Sequence, residues 1–453
     1  MPTLMGLQDL TQYLPSWVAP TPAFCQFVTG MLVILIMLHV ILGGCAYGIL
    51  LERKLSAWMQ DRVGPNRVGP MGLLQPIADG LKFIMKEEFT PRGVDKALFM
   101  LAPTLIMMPA MISFAIVPWG GILELSQLPF DLAKKLGVEG ITVHFSGAVV
   151  NVGMIYLLAV ASLGVYGVAL GGWASNSKFS FLGGMRASAQ MISYEIPMGL
   201  ALLCVVLTAG TLDPYGIVKA QTHGNGMWML LQQPVAAILF YTCMLAESNR
   251  APFDLAEAES ELVGGYHTEY SSMRFAMFFL AEYFHMITGA AFFSLLFLGG
   301  WSLNPFGGTT DLALQGGPLL ILAQWGVMLG KVAFMVAFAM AIRWTLPRFR
   351  FDQLMRLAWE GMIPTALVMV LITAVFAYMG WSHHIWLGSL LCIAAVYLLG
   401  PMLPKQANPN HRVGIIGSRF SPLVEGAGTV SRHPVALDDS AIPDRRQGPL
   451  SMH

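Results

Sequence analysis

Charge is scarce in this chain of 453 residues: Asp, Glu, Lys and Arg make up 11%, with 26 basic residues against 26 acidic ones. A chain without net charge has no basic surplus with which to hold nucleic acid. Cysteine is scarcer still, and Cys25, Cys45, Cys204, Cys243 and Cys392 stand singly in or beside apolar runs with no CxxC spacing. That pattern excludes an iron–sulfur cluster of the usual spacing and reads as small core residues. No glycine-rich nucleotide fingerprint follows a strand, and the Gly-Ala-Gly at 426–428 lies in a polar, proline-containing tail. Lys and Arg are missing from residues 1–51 altogether, so nothing ahead of the first apolar run has the positive region of a signal peptide. If the chain takes part in redox chemistry, the electrons travel elsewhere.

What the chain has in quantity is apolar residues, 55% of the total. Runs long enough to span about 30 Å of hydrocarbon fall near 26–50, 98–118, 148–171, 187–211, 227–246, 275–299, 319–342, 362–381 and 385–403. The expected fold is an all-α polytopic membrane protein with eight to nine transmembrane helices and amphipathic helices in its cytoplasmic loops. Basic residues number sixteen in the segments 52–96, 173–190, 246–274 and 343–356, against three in 119–146, 213–231 and 300–318. This positive-inside bias places the N-terminal segment 1–25 outside, those four segments in the cytoplasm, and a polar tail, 404–453, back on the cytoplasmic side of the membrane domain 26–403.

Acid is concentrated in one place. The stretch from Ala246 to Tyr270, AESNRAPFDLAEAESELVGGYHTEY, carries six carboxylates and one arginine. Asp254 can cap a helix, with Glu257 three residues on, and Gly264-Gly265 is a stop, which predicts a short helix over 255–263. On it Glu257 and Glu261 share a face while Glu259 points away. Phe253, Leu255, Leu262 and Val263 imply packing against something.

The first cytoplasmic segment is too apolar for a plain linker. After the turns at Gly64-Pro65 and Gly69-Pro70, Leu73, Ile77, Leu81 and Ile84 recur at helical spacing, with Gln75, Asp79, Lys82 and Lys86 on the other face. Such a helix lies along a membrane surface or against a partner. The segment has a net charge of +2 and 246–274 one of −4, so docking of the two is electrostatically reasonable.

An ionisable group inside a span costs several kcal/mol unless it is paired or hydrated. Glu195, beside the break that Pro197 makes, and Glu282 both lie about two turns in from the cytoplasmic side. Lys331 stands mid-span with no acid in its own run, so another helix or water must meet its charge. His39 and His285 are intramembrane as well. Glu282 and His285 have the spacing of half a di-iron site, but the other half is absent and no metal is expected. The turn RWTLPRFRFDQL, Arg343 to Leu354, groups three arginines around a proline.

Three stretches, LERKLSAWMQDRVGPNRVGPMGLLQPIADGLKFIMKE, the acidic stretch above and RWTLPRFRFDQL, come from separate loops. Together they resemble the quinone-chamber membrane subunit of respiratory complex I, the H subunit of bacterial NADH-quinone oxidoreductase and subunit 1 of the mitochondrial enzyme. The resemblance covers residues 26 to about 380; the ninth run and the long tail depart from it. It implies a bacterial inner membrane protein that takes lipid quinone as substrate, binds no cofactor covalently and works beside peripheral-arm subunits, antiporter-like membrane subunits and lipids. It further implies that Arg53, Asp61, Arg62, Gln75, Arg250 and Asp254 frame the quinone chamber. Glu247, Glu257, Glu259 and Glu261 would couple quinone chemistry to charge movement, and Glu195, Glu282 and Lys331 would belong to the proton path. Two rivals are a similar anchor subunit in a membrane-bound hydrogenase or ferredoxin-type dehydrogenase, and a free-standing secondary transporter, for which no repeated motif is found.

Overall fold

The computed structural model describes residues 21–127, 138, 140–222, 226–254, 264–306, 314–381 and 384–399. Among these, seven helical stretches are long and apolar enough to cross a membrane. They are α1 (Pro22–Met59), α3 (Lys96–Ser113), the pair α4 (Gly153–Ser162) and α5 (Gly164–Ala174), α6 (Lys178–Ala209), α10 (Ser272–Phe297), α11 (Pro318–Thr345), and α12 (Phe351–Arg356) continued by α13 (Ile363–Tyr378). Two apolar helices are shorter, α9 (Pro234–Glu247) and α14 (Ile385–Leu399). Between the long stretches lie α2 (Gln75–Met85), α7 (Pro214–Thr222) and the single turn α8 (Met229–Gln232). The chain up to Val396 is one compact unit. Of the remainder only the end of α14 is described, so the tail 404–453 lies outside the described residues, as does the helix expected over 255–263.

Local chemistry explains the helix ends. Pro22 opens α1 and the Thr21 hydroxyl accepts a hydrogen bond from the Phe24 amide at 3.2 Å. Asp95 caps α3 by accepting from the Ala97 and Leu98 amides at 3.1 and 3.3 Å, and α6 stops at Gly210, whose φ of +70° suits glycine. The turns 357–362 joining α12 to α13 are π-helical.

The bundle is built around α6 and α10. α6 packs on α5, α9 and α13, and α10 packs on α3, α11, α9 and α1. In its apolar window α10 is 72% buried, whereas α1 and the α12–α13 stretch are 22% buried, which makes α10 the central helix and the other two peripheral. Close approach depends on small residues: a Cβ on Gly172 of α5 would stand 2.7 Å from the Ser180 carbonyl oxygen of α6.

A three-stranded sheet was not foreseen in an all-α reading. β1 (Ile122–Glu124) pairs antiparallel with β2 (Thr142–His144) and parallel with β3 (Gln315–Gly316), tying together two loops that are poor in basic residues. Strands of two or three residues carry too little alternation to register in a sequence. Gln26 of α1 holds β2 through both its amide atoms, at 3.1 and 2.8 Å from the His144 backbone.

Candidate functional site

The face of α1 that turns inward runs Cys45, Gly48, Glu52, Ser56, all buried, at the spacing of one helical stripe. It brings Glu52 to the end of the bundle where the basic loops gather. The carboxylate accepts a hydrogen bond from the Tyr283 hydroxyl of α10 at 2.5 Å and two from Nη1 of Arg250, just past α9, at 3.0 and 3.2 Å. A third partner is Arg343, near the end of α11. Four elements therefore meet at one acid, which two arginines and a phenol hold.

Arg250 is 7% exposed and its guanidinium lies 4.2 Å from the centre of the Tyr283 ring. Burial opposes its charge, but the Tyr283 hydroxyl and the carboxylates of Glu52 and Glu282 outweigh burial and hold the proton more firmly than in an ordinary arginine. Its Nε and Nη2 groups are buried with no hydrogen-bond partner among the described residues. Asp254, four residues on, binds Arg348 at 2.9 Å, so it is engaged in an ion pair at the α11–α12 turn.

Beside this cluster a cavity of about 230 Å³ opens between α1, α2 and α10, lined by Leu50, Gln75, Asp79, Phe83, Ala276 and Phe279 among others. Its wall reaches the cluster directly, because the Phe279 and Tyr283 rings meet edge to face at 5.1 Å. Its polar rim is a small network: Arg53 binds Asp79 at 2.7 Å, and Gln75 donates to Asp79 at 3.3 Å. α2 thus turns Gln75, Asp79 and Phe83 inward, while Ile77 and Leu81 are exposed and Ile84, exposed as well, borders the cavity. A helix with its apolar side outward suits a lipid boundary.

The docking of the segments 52–96 and 246–274 on each other is visible in contacts at the end of α2. The Ser272 hydroxyl lies 2.8 Å from the carbonyl oxygens of both Phe83 and Lys86, and Arg274 reaches Thr90 at 3.0 Å and Glu88 at 3.4 Å. Asp61 and Arg62 lie apart from the cluster: Asp61 is exposed with a φ of +51°, and exposed Arg62 donates to Gln60 at 2.8 Å.

Deeper in the bundle, Glu195 of α6 and Glu247 at the end of α9 line the same small cavity, about 10 Å³, together with Ser162, Tyr194 and Cys243. Glu247 also lines a larger one, about 50 Å³, with Ser113, His285 and Thr288. Glu282 is 4% exposed, on α10 next to Tyr283. Lys331 belongs elsewhere. Its ammonium donates to the carbonyl oxygens of Leu298, Gly300 at 2.8 Å and Ser302 at 2.6 Å, and sits 4.2 Å from the Trp228 ring. Those carbonyls follow the negative end of α10; the first of them, on Leu298, is sixteen residues past Glu282, or roughly 24 Å along the axis at 1.5 Å per residue. Among the described residues no group of three His, Cys, Asp or Glu is arranged to hold a metal ion. Glu257, Glu259 and Glu261 lie outside the described residues.

Sequence reasoning singled out Arg250 and Asp254 and noted the turn that holds Arg343 and Arg348 without giving it a site role, but passed over Glu52 and Tyr283. The available signal for Glu52 was the stripe of small residues leading to it; its neighbour Arg53, which looked the stronger candidate, is set by the helix on the outer face.

Known proteins resemble this chain closely over the same elements. The model of the NADH dehydrogenase family matches residues 32–374. A protein of Cytophaga hutchinsonii named as NADH-quinone oxidoreductase H subunit 1 is 47% identical over 327 residues, 72% of this chain and 90% of its own length. A Koribacter versatilis protein named as NADH-quinone oxidoreductase H subunit 2 is 46% identical over 353 residues, 77% of this chain and 97% of its own. The H subunit of NADH-quinone oxidoreductase from Leptospira biflexa is 46% identical over 348 residues, covering 76% and 93%. The chain belongs to the NADH dehydrogenase family, among its H subunits. All the residues of the Glu52 cluster, both intramembrane cavities and the Lys331 contacts fall inside the stretch that the NADH dehydrogenase model matches; α14 and the tail lie beyond it.

Proposed function

We propose that the chain is the membrane subunit of a proton-pumping NADH:quinone oxidoreductase, that the cavity between α1, α2 and α10 admits a lipid quinone, and that the Glu52 cluster transmits its reduction to carboxylates in the membrane. The observation that carries this reading is the contact between an apolar cavity opening beside a lipid-suited helix and a buried cluster of two arginines, a phenol and a carboxylate. A quinone tail needs the first; a head group taking up two electrons and two protons needs the second. In this reading the chain supplies no redox centre, and electrons arrive from a peripheral-arm subunit docked on the cytoplasmic loops, with antiporter-like subunits as further partners in the membrane.

A negatively charged quinone species competes with Glu52 for Arg250, whose Nε and Nη2 have no partner among the described residues and serve as donors. Drawing Arg250 away changes the field at Glu282, and the disturbance passes to Glu247 and Glu195. Arg53, Gln75 and Asp79 frame the opening; Arg62 and Asp61, exposed, face the docked arm. Glu257, Glu259 and Glu261 belong to the coupling by family resemblance, while Lys331 anchors the far end of α10 and stands outside the first part of the proton path. The names of the relatives favour this reading over a hydrogenase anchor or a lone transporter.

Filling the cavity tests it. Ala276→Phe in the assembled complex should lower quinone reduction about tenfold or more by blocking access, while reduction of an artificial acceptor by the peripheral arm stays at the wild-type rate. Unchanged quinone kinetics in Ala276→Phe would place the quinone elsewhere.

A further inference from the structure

His285 has no part in the cluster around Glu52, yet its surroundings are unusual for a buried imidazole. The ring hydrogen-bonds the backbone of Ile106 on α3, and its Nε2 is shut off from solvent with no hydrogen-bond partner among the described residues. A buried nitrogen left without a partner destabilises the fold unless water meets it. His285 borders the cavity of about 50 Å³ between α3, α4, α6, α9 and α10, and Glu247 borders it from the opposite helix. A site of that volume holds water if two to four polar groups face it. Four are at hand: Glu247, His285, Ser113 and Thr288. The Ser113 and Thr288 hydroxyls spend their own protons on the carbonyls of Pro109 and Phe284, at 2.7 and 2.8 Å, which leaves their oxygens as acceptors for water.

The position along α10 adds the second half of the argument. Glu282 is one turn from His285 on the same helix face, and Glu282 is one of the charges that hold Arg250 protonated. The Glu52–Arg250 cluster and the Glu195–Glu247 pair would otherwise be two separate sets of polar groups. His285 stands between them, with Glu282 on one side and the cavity leading to Glu247 on the other.

We infer that His285 is a relay residue that joins Glu282 to Glu247 through water held in this cavity. The step moves one proton and no electron. Once Arg250 has been drawn away and Glu282 has taken up a proton, neutral His285 accepts that proton at Nε2, leaving a carboxylate on Glu282, and the imidazolium gives a proton from Nε2 to the cavity water, which hands one to the Glu247 carboxylate and makes it neutral. The inference rests on the proposed function, in which those carboxylates carry protons.

The test uses the whole complex reconstituted in sealed vesicles, with protons translocated per electron as the readout. His285→Leu keeps the volume and removes the nitrogens; His285→Gln keeps hydrogen bonding but cannot take up a proton. Both should lower the proton-to-electron ratio and cut quinone-linked turnover about tenfold or more, with artificial-acceptor reduction unchanged. If His285→Leu does not assemble, His285→Gln decides. A wild-type ratio in His285→Gln overturns the relay, because a residue that merely holds water or fills space is replaced by glutamine. Glu247→Gln, run in parallel, separates the two levels: if it too pumps normally, the reading of the carboxylate path fails, and if it stops pumping while the His285 variants do not, only the relay fails.

Discussion

A carboxylate gripped by two arginines and a phenol is stable while all partners stay, and costly once one leaves. Glu52 is 6% exposed and Arg250 7%, so neither can turn to water when its partner is lost. Replacing one member of a buried pair costs about 3–5 kcal/mol, because the other charge stays buried. Glu52→Gln should therefore destabilise the protein by about that much, visible as a lower inactivation temperature of the purified complex, whereas Arg53→Gln should cost about 1 kcal/mol or less, since the Arg53 side chain is 44% exposed. Equal effects of the two would show that the Glu52 cluster is more hydrated than its burial indicates. The two residues are neighbours in the chain, and one position along a helix turns the side chain by about 100°. That rotation separates a hub of four elements from a rim contact.

At the scale of elements, the connection from α9 to α10 is held by a short turn, Gly265–His267, wedged against α5 and α6. A Cβ on Gly183 of α6 would stand 2.6 Å from the Gly265 carbonyl carbon, so the two backbones are in contact. The His267 ring is packed between Tyr266 and Phe275, with centroids 5.2 and 5.1 Å away, and burial pushes its pKa down to about 4. An unfolded or undocked turn would titrate near 6.5. Between those values the undocked state binds the extra proton, so docking is strongest above pH 6.5 and weakens as pH falls toward 4, by at most about 3 kcal/mol. Protease cleavage within 264–271 should accelerate through that window, and His267→Phe, neutral at every pH, should flatten the dependence. A profile identical in the two proteins would place the acid sensitivity in another group.

Much of this architecture was legible because apolar runs need only composition to be seen, and intramembrane Glu195, Glu282 and His285 stand out against them. Other features had no signature in one stretch of chain. The partners of Glu52 come from positions 198 to 291 residues away, and the counterpart of Lys331 is a set of backbone carbonyls, which no residue type announces. The periodicity of α2 revealed two faces but not which of them turns inward.

For the whole molecule, sidedness is the property from which the rest of the functional reading hangs. Basic residues, the Glu52 cluster and the α2 cavity gather at one end of the bundle. The sheet and the Lys331 contacts belong to the loops at the other end, where basic residues are few. The proposed function takes the first end to be cytoplasmic, against a peripheral arm, and the second to be outside, the arrangement that the positive-inside rule favours. Cysteine labelling can decide this with little background, since Cys25, Cys45, Cys204, Cys243 and Cys392 are all buried. Val63, 75% exposed in the first basic loop, and Phe306, 69% exposed near the sheet, are suitable positions. In intact cells a membrane-impermeant maleimide should label Phe306→Cys and leave Val63→Cys unlabelled; in inverted vesicles the pattern should reverse. Labelling of Val63→Cys from outside would put the quinone cavity on the wrong face of the membrane for a cytoplasmic electron donor, and the coupling scheme built on Glu52 and Arg250 would fall with it.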